Sequence, residues 1–417
     1  EALGGIKVRA RSMRSTLAAA AAAALLLLTA CGGGQPAEAP QGGTGGDTGG
    51  TSPGAEAPGD AASGEPIKIG MLVEQTGYFS WYGEETLNGA TLFVEELNAA
   101  GGINGRPIEL VVYNYESDSE QAVNGARRLI QQDNVVALVG LGIVGAAQAV
   151  QPLVENGPLT YSLSGAYNPG HRYMFAGTVF VGHTQQRALQ FLAEKGIKRV
   201  ALLLTNDATG QIADQALHAG AANLGIEIVS NQSFNPDDVD VTAQLNTIRA
   251  ANPEAIISWV IGRPLGVVLQ GAKQLGITLP IITSHGNLTP DFMASLSELQ
   301  SGPIYVFGTK DLIWRDVPED DPQYEAIRSM QERHQQRFGK EGGIGTGTGY
   351  DALMVLAKAI EESGSTDSDV LIETIEGFKN LVGVVGIYNF SPDDHRGLDV
   401  QASIPMVLEN GVLKAAD

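Results

Sequence analysis

From Pro66 onward the chain alternates short apolar runs with longer stretches whose apolar residues recur at helical spacing. Ile67-Lys68-Ile69-Gly70-Met71-Leu72-Val73 reads as a strand, and Leu87, Ala90, Val94 and Leu97 then mark one face of a helix. The pattern repeats at Ile108 to Tyr115 with a helix carrying Val123, Ala126 and Ile130. It repeats again at Val135 to Gly140 with a helix from Ala147 to Val154, and ends at Leu159 to Leu163. Four such steps predict one parallel sheet. A second series follows Gly182, with strands at Val200 to Thr205, Glu227 to Ser233, Ala255 to Ile261 and Leu279 to Ser284 and helices between them. Runs such as Val200-Ala201-Leu202-Leu203-Leu204 have no polar face, as expected of parallel strands covered by helices on both sides. The fold class expected is therefore α/β, with two Rossmann-like lobes built on open parallel sheets. The remaining C-terminal part shows helical patterns at Gln323 to Phe338 and Asp351 to Glu362, and strand-like runs at Val384 to Phe390 and Val400 to Leu408.

The N-terminal part reads differently. Lys7, Arg9, Arg11 and Arg14 precede an uncharged stretch from Leu17 to Ala30, too short for the ~20 residues a membrane-spanning helix takes. Residues 1–30 are expected to be an export signal, with Met13 as the expected translation start. Leu28-Thr29-Ala30-Cys31 resembles a bacterial lipoprotein lipobox. The resemblance implies cleavage before Cys31, acylation of that cysteine and an extracytoplasmic, lipid-anchored protein. Residues 31–65 hold Gly, Pro, Ala, Ser, Thr and a few acids, with no large apolar residue between Gly32 and Gly64. Such a segment is a flexible tether whose r.m.s. span is on the order of 30 Å.

A length of 417 residues suits two lobes. The net charge of −21 becomes −24 once four bases and Glu1 leave with the signal, which argues against nucleic acid or an anionic membrane surface as the binding target. One cysteine excludes an internal disulfide and a Cys-rich metal site. The six histidines have no ligand-like spacing, and the P-loop, H-E-x-x-H and G-x-S-x-G signatures are missing. No catalysis, metal or cofactor is expected. Gly140-Leu141-Gly142-Ile143-Val144-Gly145 matches G-x-G-x-x-G after a strand, but the next strand, Leu159 to Leu163, carries no acid for a nucleotide ribose. The better reading is a glycine-opened helix start whose backbone N–H groups take a ligand carboxylate. Arg263, directly after an apolar strand, either forks onto such a carboxylate or is a solvated helix-start residue. Tyr78, Phe79, Trp81 and Tyr82 follow the first strand, where they line a ligand cleft or pack the lobe.

Several motifs resemble the type I periplasmic binding proteins, in the branch of the leucine/isoleucine/valine-binding protein of ABC importers. They are Ile67 to Gly70 with Gln75-Thr76-Gly77, Tyr82-Gly83 and Asn88-Gly89-Ala90, the run from Glu96 to Pro107 with its Gly-Gly-Ile-Asn-Gly turn, and Tyr350-Asp351-Ala352. The resemblance implies two lobes joined by a three-crossover hinge near Val181, Gly308 and Leu398. Lobe 1 would then hold 66–181 plus 308–398, and lobe 2 182–307 plus 399–417, with a small-molecule ligand between them and a membrane permease as partner. By the same resemblance Val144 and Gly145 grip a carboxylate, and Ser164 and Ala166 offer backbone contacts. The chain departs from the branch at Val144, where a serine is usual, at Thr209 and Ile261, where tyrosines are usual, and at His285, where an ammonium-binding glutamate is usual. A histidine supplies no fixed negative charge, so the expected ligand is an amide, or a carboxylate without an α-ammonium, unless an acid such as Glu74 or Glu84 serves instead. A rival expectation is an anchored sensory or regulatory domain of the same fold.

Overall fold

The computed structural model describes residues 64–416. The expected export signal, Cys31 and nearly all of the expected tether lie outside the described residues. The first lobe contains β1 (Ile67–Val73), α1 (Ser80–Ala99), β2 (Ile108–Asn114), α2 (Ser119–Gln131), β3 (Ala137–Gly140), α3 (Val144–Val150), β4 (Leu159–Ser162) and β5 (Met174–Ala176). The chain continues through α4 (Val181–Glu194), β6 (Arg199–Thr205), α5 (Ala208–Asn223), β7 (Glu227–Phe234), α6 (Thr242–Ala250) and β8 (Ala255–Ser258). Next come α7 (Arg263–Gln274), β9 (Ile281–Thr283), α8 (Pro290–Ser295), β10 (Ile304–Gly308), α9 (Tyr324–Phe338), α10 (Ile344–Ser363) and α11 (Ser368–Gly377). The last elements are β11 (Leu381–Val382), β12 (Ile387–Tyr388), β13 (Ile404–Glu409) and β14 (Val412–Ala415).

One sheet has the order β2-β1-β3-β4-β5 with parallel pairing throughout. A second has the order β14-β13-β10-β9-β8-β6-β7, parallel except for the two last strands, which add to its edge in antiparallel sense, and β11 and β12 form a separate antiparallel pair. Both large sheets are buried on both faces. In β1, Ile67, Ile69, Met71 and Val73 enter one core while Leu72 enters the core on the opposite face. In β6, Ala201 and Leu203 face one core and Val200, Leu202 and Leu204 the other. Such burial explains the near-continuous apolar runs. Helix α10 packs along α1, so the segment after β10 returns to the first sheet before β13 rejoins the second.

The structure corrects several element boundaries. β5 is a three-residue edge strand too short to leave a pattern, and β10 and β14 were likewise not anticipated. The run Val384 to Phe390 is not one strand. The Asp351 carboxylate accepts from Val384 N and Val385 N at 2.8 Å each, so these amides serve a side chain instead of a neighbouring strand. Residues 400–402 form a 3₁₀ turn with Asp399 accepting from Gln401 N, and the strand starts only at Ile404. α10 starts seven residues ahead of Asp351, because its glycines are used for contact with α1.

Candidate functional site

In each sheet the chain runs first to one side and then to the other of its opening strand. The strand order therefore reverses between β1 and β3 and between β6 and β8. The carboxyl ends at such a reversal leave a crevice where open α/β sheets take ligands.

At the first crevice, Gly140 ends β3 with φ 121°, and a Cβ there would stand 1.9 Å from the Leu72 carbonyl. Only glycine lets the loop press onto β1. Leu141 N then donates to Leu72 O at 2.9 Å. α3 starts without a side-chain cap, and Val144 and Gly145 are half-buried at its start. Ser164 is buried in the loop after β4, and Ala166 is exposed. That loop is held from behind by Arg396, whose buried guanidinium donates to Tyr167 O and Thr178 O and lies over the Phe180 ring. The loop after β1 is tied to the end of β2. Asn114 Oδ1 accepts from Gln75 N at 3.0 Å, and Ser117 Oγ accepts from Phe79 N at 3.2 Å.

The aromatic group divides. Phe79, Trp81 and Tyr82 pack on one another with ring centroids 5.0–5.6 Å apart. Tyr82 is buried in the lobe core, and its hydroxyl donates to Leu163 O at 2.7 Å. Tyr78 is 74% exposed, and Trp81 is intermediate.

At the second crevice, Asp207 caps α5, its Oδ1 accepting from Gly210 N at 3.0 Å and from Thr205 Oγ1 at 2.8 Å. Thr209 is exposed on the first turn. After β8, Trp259 is buried, Ile261 is half exposed, and Gly262 turns the chain with φ 71°. Arg263 is exposed, with only a 3.5 Å contact to Asp237 O. His285 opens the turn after β9, half-buried, with Nδ1 lacking a partner and its ring 6.4 Å from Trp259. Burial pushes its pKa down to about 4, so the imidazole is neutral at pH 7. Asn287, which sequence reasoning missed, joins the two loops. Its Nδ2 donates to Val260 O at 2.8 Å and Thr283 Oγ1 at 3.0 Å, while Oδ1 accepts from Gly262 N at 2.7 Å.

The structure thus brings Tyr78, Trp81, Val144, Gly145, Ser164 and Ala166 to the first crevice and Thr209, Ile261, Arg263 and His285 to the second, with Tyr82 beneath the first as packing. The two acids named as stand-ins differ sharply. Glu84 is exposed and paired with Lys340 at 2.9 Å. Glu74, the residue after β1, is 1% exposed with Oε1 lacking a partner, and burial pushes its pKa up to about 7. Among the described residues no group of three or more His, Cys, Asp or Glu side chains is placed to hold a metal, and no helix is long and apolar enough to cross a membrane.

The sequence model of the family described as periplasmic binding protein matches residues 66–404. A leucine-, isoleucine-, valine-, threonine- and alanine-binding protein of Pseudomonas aeruginosa is 24% identical over 331 residues, covering 77% of this chain and 86% of that one. A Leu/Ile/Val-binding protein homolog of Brucella melitensis is 23% identical over 336 residues, covering 78% and 87%. Among solved structures, the Streptococcus pneumoniae branched-chain amino acid transporter substrate binding protein LivJ, in complex with isoleucine, superimposes with a TM-score of 0.70. It is 24% identical, over 85% of this chain and 99% of that one. The leucine binding protein LivK of Thermotoga maritima gives a TM-score of 0.68 at 22% identity, over 84% and 98%.

Proposed function

The chain belongs to the periplasmic binding protein family, in the branch of the leucine/isoleucine/valine-binding proteins, and from that premise we propose that it is the extracytoplasmic solute receptor of an ABC importer. In this reading it is anchored to the membrane through lipid on Cys31 and delivers solute to a permease. It performs no catalysis and needs no cofactor. The solute is a small polar molecule, an amino acid or an amide or organic carboxylate, held between lobe 1 (66–181 with 308–398) and lobe 2 (182–307 with 399–417). The observation that carries this is the pair of crevices. Each lobe sets a group of loops at the reversal of its strand order, with backbone groups at α3 in one and Thr209, Arg263 and a neutral His285 in the other. A solute bridging the two would close the lobes about their hinge.

A thermal-shift screen of amino acids, amides and carboxylic acids tests the reading. Solute at a hundredfold excess over Kd adds ~2.7 kcal/mol of stability, a readily measured rise in melting temperature. A screen in which no solute raises it would replace the receptor with a sensory or regulatory domain working through protein contacts.

A further inference from the structure

The geometry points to Glu74 as the group that receives a positively charged nitrogen of the solute, so that the ligand carries an ammonium bound in lobe 1; this rests on the solute-receptor reading above. Glu74 directly follows β1, at the reversal between β1 and β3. Its side chain is enclosed, and Oε1 has no hydrogen-bond partner. The Tyr115 hydroxyl, just past the end of β2, lies against it. That hydroxyl is also buried and close enough to favour the ionised carboxyl, although neither it nor Oε1 meets a partner in full hydrogen-bond geometry.

A carboxyl in such a place is costly, because burial disfavours its ionised form and no cation among the described residues compensates it. Packing alone would be served better by an apolar side chain of similar size. The surroundings instead make room for the carboxyl. A Cβ at Gly142 would stand 2.3 Å from Oε1, and one at Gly83 would stand 2.9 Å from Glu74 Cγ. Both glycines come from loops or helices that face the crevice. An enclosed acid with a neutral hydroxyl beside it and no compensating cation is suited to receive one from a ligand.

The rest of the site has the complementary deficiency. Ser164, Thr209 and Arg263 present donors, which suit a carboxylate. His285 presents a neutral ring where a fixed negative charge would be needed. Asp207 at the second crevice already uses Oδ1 as the cap of α5 and the partner of Thr205. Glu74 is then the acid left to face an ammonium, with the Tyr115 hydroxyl beside it as a neutral acceptor. An amino acid would lie with its ammonium toward β1.

The test compares the full chain with Glu74→Gln and Glu74→Asp by calorimetry, using α-amino acids paired with their deaminated α-keto analogues and the matching amides. The expected result is that the tightest binder carries an ammonium and loses about tenfold to hundredfold in affinity in Glu74→Gln, the size of a lost charge-assisted hydrogen bond. Affinity for the keto analogue stays within about twofold, and Glu74→Asp retains the preference for the amine. Unliganded Glu74→Gln should melt no lower than the wild type at pH 8, which separates recognition from a packing role. A keto acid or amide as the tightest binder, or equal amino-acid affinity in folded Glu74→Gln, overturns the assignment and leaves the receptor reading standing. Failure of every compound on the wild type would overturn both.

Discussion

Glu74, Glu85 and Asp311 are carboxyls that burial holds at about pH 7, and each should make folding depend on pH in a sense opposite to that of a salt-bridged acid. An acid whose pKa is higher folded than unfolded binds more protons in the native state. Its contribution is therefore fully present below about pH 4.5 and is lost as the pH rises through about 7. For Glu74 the displacement corresponds to about 3 kcal/mol at ~1.4 kcal/mol per pKa unit. Urea unfolding of the wild type and Glu74→Gln at pH 4.5 and pH 8 should show the difference in unfolding free energy moving against the wild type by that order. His285 works the other way: its neutral buried form is lost as pH falls from 6.5 through about 4, but it is common to both proteins and cancels. A pH-independent difference would mean that Glu74 is solvated in solution. None of this was legible at the residue itself. The sequence offers Glu74 only as one of two acids, with Glu84, that could stand in at the cleft, and its environment comes from Gly83, Gly142 and Tyr115, which only folding brings to it.

Between elements, the contact of α1 with α10 accounts for a feature that a propensity argument reads as a weak helix. Gly345, Gly347 and Gly349 lie inside α10. A Cβ on Gly349 would stand 2.0 Å from the Thr86 carbonyl, and one on Gly89 of α1 would stand 1.9 Å from the Thr346 carbonyl. The two backbones approach reciprocally, and glycine is the residue that permits it. Gly89→Ala or Gly349→Ala should therefore destabilise by about 1–3 kcal/mol through overpacking, despite alanine's better helix propensity. Gly266 on α7 is the control. Its added Cβ would meet nothing nearer than 3.9 Å, so Gly266→Ala should stabilise by up to about 1 kcal/mol. Chemical denaturation of the three variants decides it, and equal effects at Gly349 and Gly266 would contradict the close approach. Long elements such as α9 were legible because their periodicity spans several turns, whereas β5 and β12 hold three and two residues and are defined by their partners.

At the scale of the whole molecule, the described residues 64–416 hold two large sheets with apolar cores on both faces of each. A chain beginning at Gly64 should fold with an unfolding midpoint matching that of the full protein. Cys31→Ser should move the protein from membranes to the soluble fraction with unchanged solute affinity, as fractionation and calorimetry would register; retention on membranes would assign the attachment to something other than lipid on Cys31. The amino-acid order by itself determined the class of fold, since runs apolar on every side can be strands only where helices cover both faces of a sheet. It also determined where the loop after β3 begins, because a glycine that must press against a neighbouring strand stands in a visible cluster, as at Gly140 to Gly145. Tertiary structure alone decided which polar groups in those loops are occupied and which are free. Asp207 is used as a cap, Glu84 is paired with Lys340, His285 is held neutral and Glu74 is left without a partner. Hydrophobic period is a local property carried by each segment, whereas desolvation and hydrogen-bond satisfaction depend on atoms contributed by segments far apart in the chain.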